Sequence, residues 1–173
     1  LPGFLQILEG DFSAAARTWE KMQGILVGAR SPFAIWCAWQ HALDGNVTEA
    51  VRIMDDVSAD RQDFVGAFGR FLKAAWLGNK EVALGAIKRE WEEGAWYDDL
   101  WPLNMAEGYS LIGEEERAFH WLDHAIDFGA SNVPFLEKHD PLLANLRGHP
   151  RFGASMDRAR SRSEAVLRAI RQA

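Results

Sequence analysis

A chain of 173 residues with 48% apolar and 25% charged side chains and only 6 prolines has the composition of a folded globular protein, not of a disordered segment. Its single cysteine, Cys37, excludes an internal disulfide, a cysteine-rich zinc site and a CxxC redox pair, and points to a reducing, cytoplasmic setting. The formal charge is -6, but residues 151–173 carry six arginines against Asp157 and Glu164, a local +4 that leaves -10 on the preceding 150 residues and speaks against nucleic acid as the main partner.

No apolar run approaches the ~20 residues that a membrane helix needs, so a membrane partner is not expected. The chain opens on Leu1 without Met or a signal pattern, which reads as a fragment of a longer protein or a processed form. The predicted elements then come in pairs: helices over 1–9 and 12–24, 32–44 and 47–57, 62–77 and 79–93, and 98–112 and 114–128. Each pair is divided by a turn signal, in order Gly10-Asp11, Gly45-Asn46, Gly78-Asn79-Lys80 and Gly113-Glu114, at intervals of 35, 33 and 35 residues. A tight reversal needs a residue that tolerates positive φ, hence the recurring glycine.

Other positions keep step with these turns. Five residues after each glycine stand Ala15, Ala50, Ala83 and Ala118; the next position holds Ala16, Val51, Leu84 and Phe119, and three further on come Trp19, Met54, Ile87 and Leu122. These offsets share one helical face, so each second helix carries a stripe to be buried, with an alanine where two helices cross closely. Seven residues before the turns, Ala38, Phe71 and Ala106 provide an inward position on the first helices. The acidic run Glu114–Glu116 suits a helix N-terminus.

The unit Leu103-Asn104-Met105-Ala106-Glu107-Gly108-Tyr109-Ser110-Leu111-Ile112-Gly113, followed by Ala118-Phe119, Leu122 and Ala125, resembles the tetratricopeptide repeat, whose period is about 34 residues. The resemblance covers residues 1 to about 128. Phe128-Gly129, Asn132, Pro134-Phe135-Leu136, Asp140-Pro141-Leu142-Leu143, Leu146-Arg147 and Pro150-Arg151-Phe152 resemble the tail that closes such arrays in bacterial multidomain regulators. The resemblance implies an all-α fold: a right-handed α-solenoid of antiparallel helical hairpins, with repeats over about 1–28, 31–61, 62–96 and 98–130 and a C-terminal helical cap over 131–173. A terminal hairpin needs such a cap, and Phe135, Leu136, Leu142, Leu143, Leu146 and Phe152 are its covering residues, each worth roughly 1.5–3 kcal/mol on burial. Residues 153–172 form a final helix with a solvated, arginine-rich surface.

The chain carries no phosphate-loop, dinucleotide, nucleophile-elbow, zinc-protease or EF-hand pattern, so no catalytic residue, cofactor or metal is expected. His120 and His124 share a helix face, but two ligands do not make a metal site. The pairs Asp55-Asp56, Glu92-Glu93 and Asp98-Asp99 read as solvated helix ends, because adjacent helical residues point apart. His41 reads as an interhelical histidine and Cys37 as an inert buried thiol.

In the tetratricopeptide family the first helices line a concave wall, which here would be built from Ile35, Trp39, Phe68, Leu72, Trp76, Leu103 and Glu107. This wall lacks the Lys, Arg and Asn residues of the groove that clamps a peptide carboxylate. It either docks an apolar segment of a protein partner, an adjoining domain or a second copy of the chain, or is filled by packing, the tail included. The expected function is a non-catalytic scaffold for protein–protein interaction in a bacterial regulatory or signalling protein. The alternative is a small-molecule sensor with an apolar pocket on the same wall.

Overall fold

The computed structural model describes residues 2–23, 32–92 and 100–172, and all regular secondary structure among them is helical. The chain forms two compact units, Leu1–Gly94 and Ala95–Ala173. The first holds α1 (Pro2–Leu8), α2 (Phe12–Gln23), α3 (Pro32–Leu43), α4 (Val47–Ser58), α5 (Phe64–Trp76), α6 (Lys80–Ala86) and α7 (Arg89–Glu92). The second holds α8 (Leu100–Leu111), α9 (Glu115–Phe128), a π-helical turn (Phe135–His139), a 3-10 helix (Pro141–Leu146) and α10 (Pro150–Gln172).

In the first unit α1 pairs with α2, α3 with α4 and α5 with α6, and successive hairpins meet through α2 on α3, α4 on α5 and α3 beside α5. A lone hairpin cannot bury its apolar face, so nearest-neighbour stacking of this kind is what a helical repeat requires. The four turn glycines have φ of +80, +77, +68 and +72. Their hydrogen bonds follow one pattern: Gly78 N donates to Ala75 O at 2.9 Å and Asn79 N to Ala74 O at 2.8 Å, with counterparts at the other three turns.

The residue after the glycine caps the next helix. Asp11 Oδ1 accepts from Ala14 N at 2.9 Å, Asn46 Oδ1 from Glu49 N at 3.3 Å and Asn79 Oδ1 from Val82 N at 3.2 Å. Glu114 makes no such side-chain bond. The stripe alanines Ala15, Ala50, Ala83 and Ala118 are all 0% exposed, as the close crossings predict. Met54, Ile87, Phe119 and Leu122 join them in the core, whereas Val51 and Leu84 are only half-buried. The side chain of Trp19, Glu93 and the Asp98-Asp99 pair lie outside the described residues.

Three helix boundaries differ from expectation. The helix foreseen over 79–93 ends at Ala86; Ile87 turns extended (φ -108, ψ 125) with its side chain buried, and α7 restarts at Arg89. Gly85 weakens the helix just before a β-branched residue that gains burial by leaving it. The helix foreseen from 62 starts at Phe64, because Asp63 takes the cap and accepts from Gly66 N at 3.0 Å. The last helix begins at Pro150 instead of 153, since proline suits the first helical position.

In the second unit α8 packs between α9 and the 3-10 helix, which is why every residue from Pro102 to Ser110 is buried. Phe135, Leu136, Leu142, Leu143, Leu146 and Phe152 are all buried, in keeping with their expected covering role. Asn145 Nδ2 donates to Ser110 O at 3.0 Å, tying the 3-10 helix to α8. The arginines of α10 are not simply solvated: Arg151 pairs with Asp123 at 3.0 Å and Glu116 at 3.2 Å, Arg158 and Arg162 pair with Asp127, and Arg160 pairs with Glu137. They strap α10 onto α9 and the π-helical turn.

Candidate interaction site

The expected wall residues are all buried. Ile35 and Trp39 on α3, and Phe68, Leu72 and Trp76 on α5, lie in the core of the first unit; Leu103 and Glu107 on α8 lie in the second. None offers a docking surface in this structure. On α5 the packing neighbours are α3, α4 and α6; on α8 they are α9 and the 3-10 helix. Phe68 stacks at a tilt between Phe64 and Phe71, with ring centroids 5.7 and 6.4 Å away.

An open groove lies elsewhere, on the α5–α6 hairpin. A groove of about 570 Å³ is lined by Arg70, Lys73, Ala74 and Leu77 from α5 and its end, by Asn79 in the turn, and by Val82, Gly85 and Ala86 of α6. Positions 70, 73, 74 and 77 fall on one helical face, as do 82, 85 and 86. Its floor is made of small residues, and a Cβ added to Gly85 would meet nothing within 4 Å. Its apolar rim is Leu77, 57% exposed, and Val82, 54% exposed.

The end of the groove toward the start of α5 is cationic. Lys73 pairs with Asp55, but Arg70 donates from Nη1 to the carbonyl of Arg61 at 2.9 Å and pairs with no carboxylate among the described residues. That backbone bond fixes the head of a long side chain and leaves its charge without a carboxylate among the described residues. The sequence signals the site only indirectly, by a glycine within a helix and two apolar residues flanking a turn.

The other candidates resolve as packing or surface groups. His120, Trp121, His124 and Phe128 form a ladder of ring contacts along α9, with successive centroids 5.2, 5.9 and 4.6 Å apart. Among the described residues no three His, Cys, Asp or Glu side chains are placed to hold one metal ion. Cys37 is buried. Asp55 and Asp56 are engaged by Lys73 and Arg52. Arg61, aided by Gly66 N–H, holds the Asp63 carboxyl down to about 2, and Arg52 lowers that of Glu49.

One buried polar cluster was not foreseen. Asn104, Glu107 and Asp140 are 6%, 0% and 0% exposed, and burial pushes the Asp140 carboxyl up to about 6 against the opposing effects of Leu142 N–H, Glu107 and Arg147. Among the described residues no helix is long and apolar enough to cross a membrane. Compared with known proteins, the chain matches no family model, no curated protein and no solved structure.

Proposed function

We propose that the chain is a non-catalytic protein-interaction module whose α5–α6 groove receives a short apolar segment of a partner protein with a carboxylate beside it. The observation that carries this reading is the groove itself: small residues Ala74, Gly85 and Ala86 along it, exposed Leu77 and Val82 beside them, and Arg70 without a carboxylate partner among the described residues. An apolar trough with a cation at one end suits an apolar side chain followed by an acidic group, because charge-assisted hydrogen bonds fix direction while burial supplies affinity. The groove is open, which favours a polypeptide over the small ligand of the sensor alternative.

The four turns of like construction at intervals of 35, 33 and 35 residues support a tetratricopeptide-like, right-handed array as the frame. A bacterial regulatory or signalling parent rests on the likeness of the tail from Phe128 onward.

The test is a titration of the ¹⁵N-labelled chain with two synthetic peptides, one carrying leucines one helical turn apart beside two glutamates, the other with lysines in place of the glutamates. The acidic peptide is expected to shift the amides of Leu77, Val82 and Gly85, and Gly85→Trp to block it while leaving the melting temperature intact. Arg70→Gln should weaken binding by about tenfold, as loss of one charge-assisted hydrogen bond does. Absence of these shifts, or unchanged binding by Gly85→Trp, removes the groove as the site.

A further inference from the structure

One seam runs along α10, apolar but for Ser163: Phe152, Met156, Ala159, Ser163, Val166 and Ile170 stand at alternating steps of four and three residues. Such alternation marks a helix face that packs lengthwise on another helix. In its first half the seam is covered, since Phe152, Met156 and Ala159 are buried and α10 packs on α9. The ion pairs advance in the same direction along both helices, Arg151 meeting Glu116 and Asp123, then Arg158 and Arg162 meeting Asp127. α9 ends one residue beyond Asp127, at Phe128, while α10 continues to Gln172.

Residues 163–172, about 15 Å of helix, therefore run past the end of α9. Here the seam is open: Val166 is 56%, Leu167 49% and Ile170 67% exposed. At about 100° per residue these three and Ser163 share one face with Leu167 on its edge, and Glu164 and Arg171 flank that same edge, one turn before and one turn after Leu167. Glu164 reaches Arg168 on its own helix at 3.4 Å with both side chains largely exposed, and Arg171 has no carboxylate partner among the described residues. Along this edge the order is acid, apolar, base.

That order is complementary to its own reverse. Laid antiparallel, two copies bring Leu167 onto the partner's Leu167 and set each Glu164 beside the partner's Arg171. Laid parallel, they set acid on acid and base on base. On the opposite edge Arg162 is held by Asp127 at 3.5 Å and Ala169 carries no charge, so nothing there opposes the antiparallel pairing. We propose that residues 163–172 form a self-association surface, on which two copies of the chain pair antiparallel about a two-fold axis beside Leu167. A contact of this isologous kind closes as a dimer. Two three-turn helices cover far less than the roughly 800 Å² per partner of a standard interface, so the expected Kd is on the order of 0.1–1 mM.

The test is sedimentation equilibrium of the full chain from about 20 µM to about 1 mM at low salt, where exposed ion pairs act most strongly. The mass should rise with concentration toward that of a dimer. Ile170→Asp, at an exposed position, should keep the chain monomeric and leave its melting temperature unchanged. Glu164→Arg and Arg171→Glu should each weaken the dimer by about three- to tenfold, and the double reversal should restore it by rebuilding the same pairs in the opposite sense. A monomeric mass throughout overturns the proposal; if the chain then binds vesicles of anionic lipid and Ile170→Asp abolishes that binding, the face belongs to a membrane surface instead. A dimer that Ile170→Asp leaves intact also overturns it, and loss of that dimer in Gly85→Trp would place the contact in the α5–α6 groove. A double reversal no tighter than the single variants excludes the antiparallel arrangement.

Discussion

At Gly78 and Gly85 the same atom, a Cβ, has opposite expected effects. Neither position has a heavy atom within 4 Å of an added Cβ, so backbone conformation alone decides. Gly78 closes a turn at φ +68, where an L side chain is strained; Gly78→Ala should cost about 1–2 kcal/mol in urea unfolding. Gly85 is helical, so Gly85→Ala should stabilise by about 0.5–1 kcal/mol. Equal effects in the two variants would contradict the assigned conformations. The turn glycine was evident from sequence because its interval repeats. The role of the residue after it was written in the same dipeptides, since Asp11, Asn46 and Asn79 each cap a helix.

Between elements, burial is more demanding than periodicity suggests. Ala83 and Ala118 are 0% exposed at helix contacts, and replacing either with Arg forces a charge and a long side chain into a closed crossing. Loss of the cooperative melt by circular dichroism is expected; an unchanged melt would mean that the crossing is not close. The strap of α10 behaves differently because it lies at the surface. Asp123 accepts from Ser155 Oγ at 2.6 Å and pairs with Arg151, so Asp123→Ala should cost only about 1 kcal/mol, a loss that shrinks in high salt. The reading of the tail as a cover for an apolar face agrees with the burial of its six apolar residues. Its arginines looked merely solvated because their acidic partners, Glu116, Asp123, Asp127 and Glu137, lie 23 to 35 residues away in sequence.

For the whole molecule the pH dependence has two opposing parts. Asp140, raised to about 6, contributes stability that is complete below about pH 4, its unfolded value, and is lost as pH rises through about 6. Asp63, held down to about 2, contributes above about pH 4 and loses that contribution as pH falls through about 2; with its side chain 55% exposed, its share is small. Thermal melts should therefore show Asp140→Asn gaining on wild type between about pH 4 and about 6, by up to about 2–3 kcal/mol, whereas a constant difference would refute the assignment. The all-helical class, the four glycine turns and the apolar stripe followed from the amino-acid sequence alone, because they depend on local backbone preference and on a period that the chain itself carries. The open groove, the buried state of the wall from Ile35 to Glu107 and the burial of Asp140 were decided only in the tertiary structure. Spacing shows which face of a helix is apolar, but not which neighbour covers it, and the carboxyl of Asp140 is raised by a burial that its sequence neighbours do not announce.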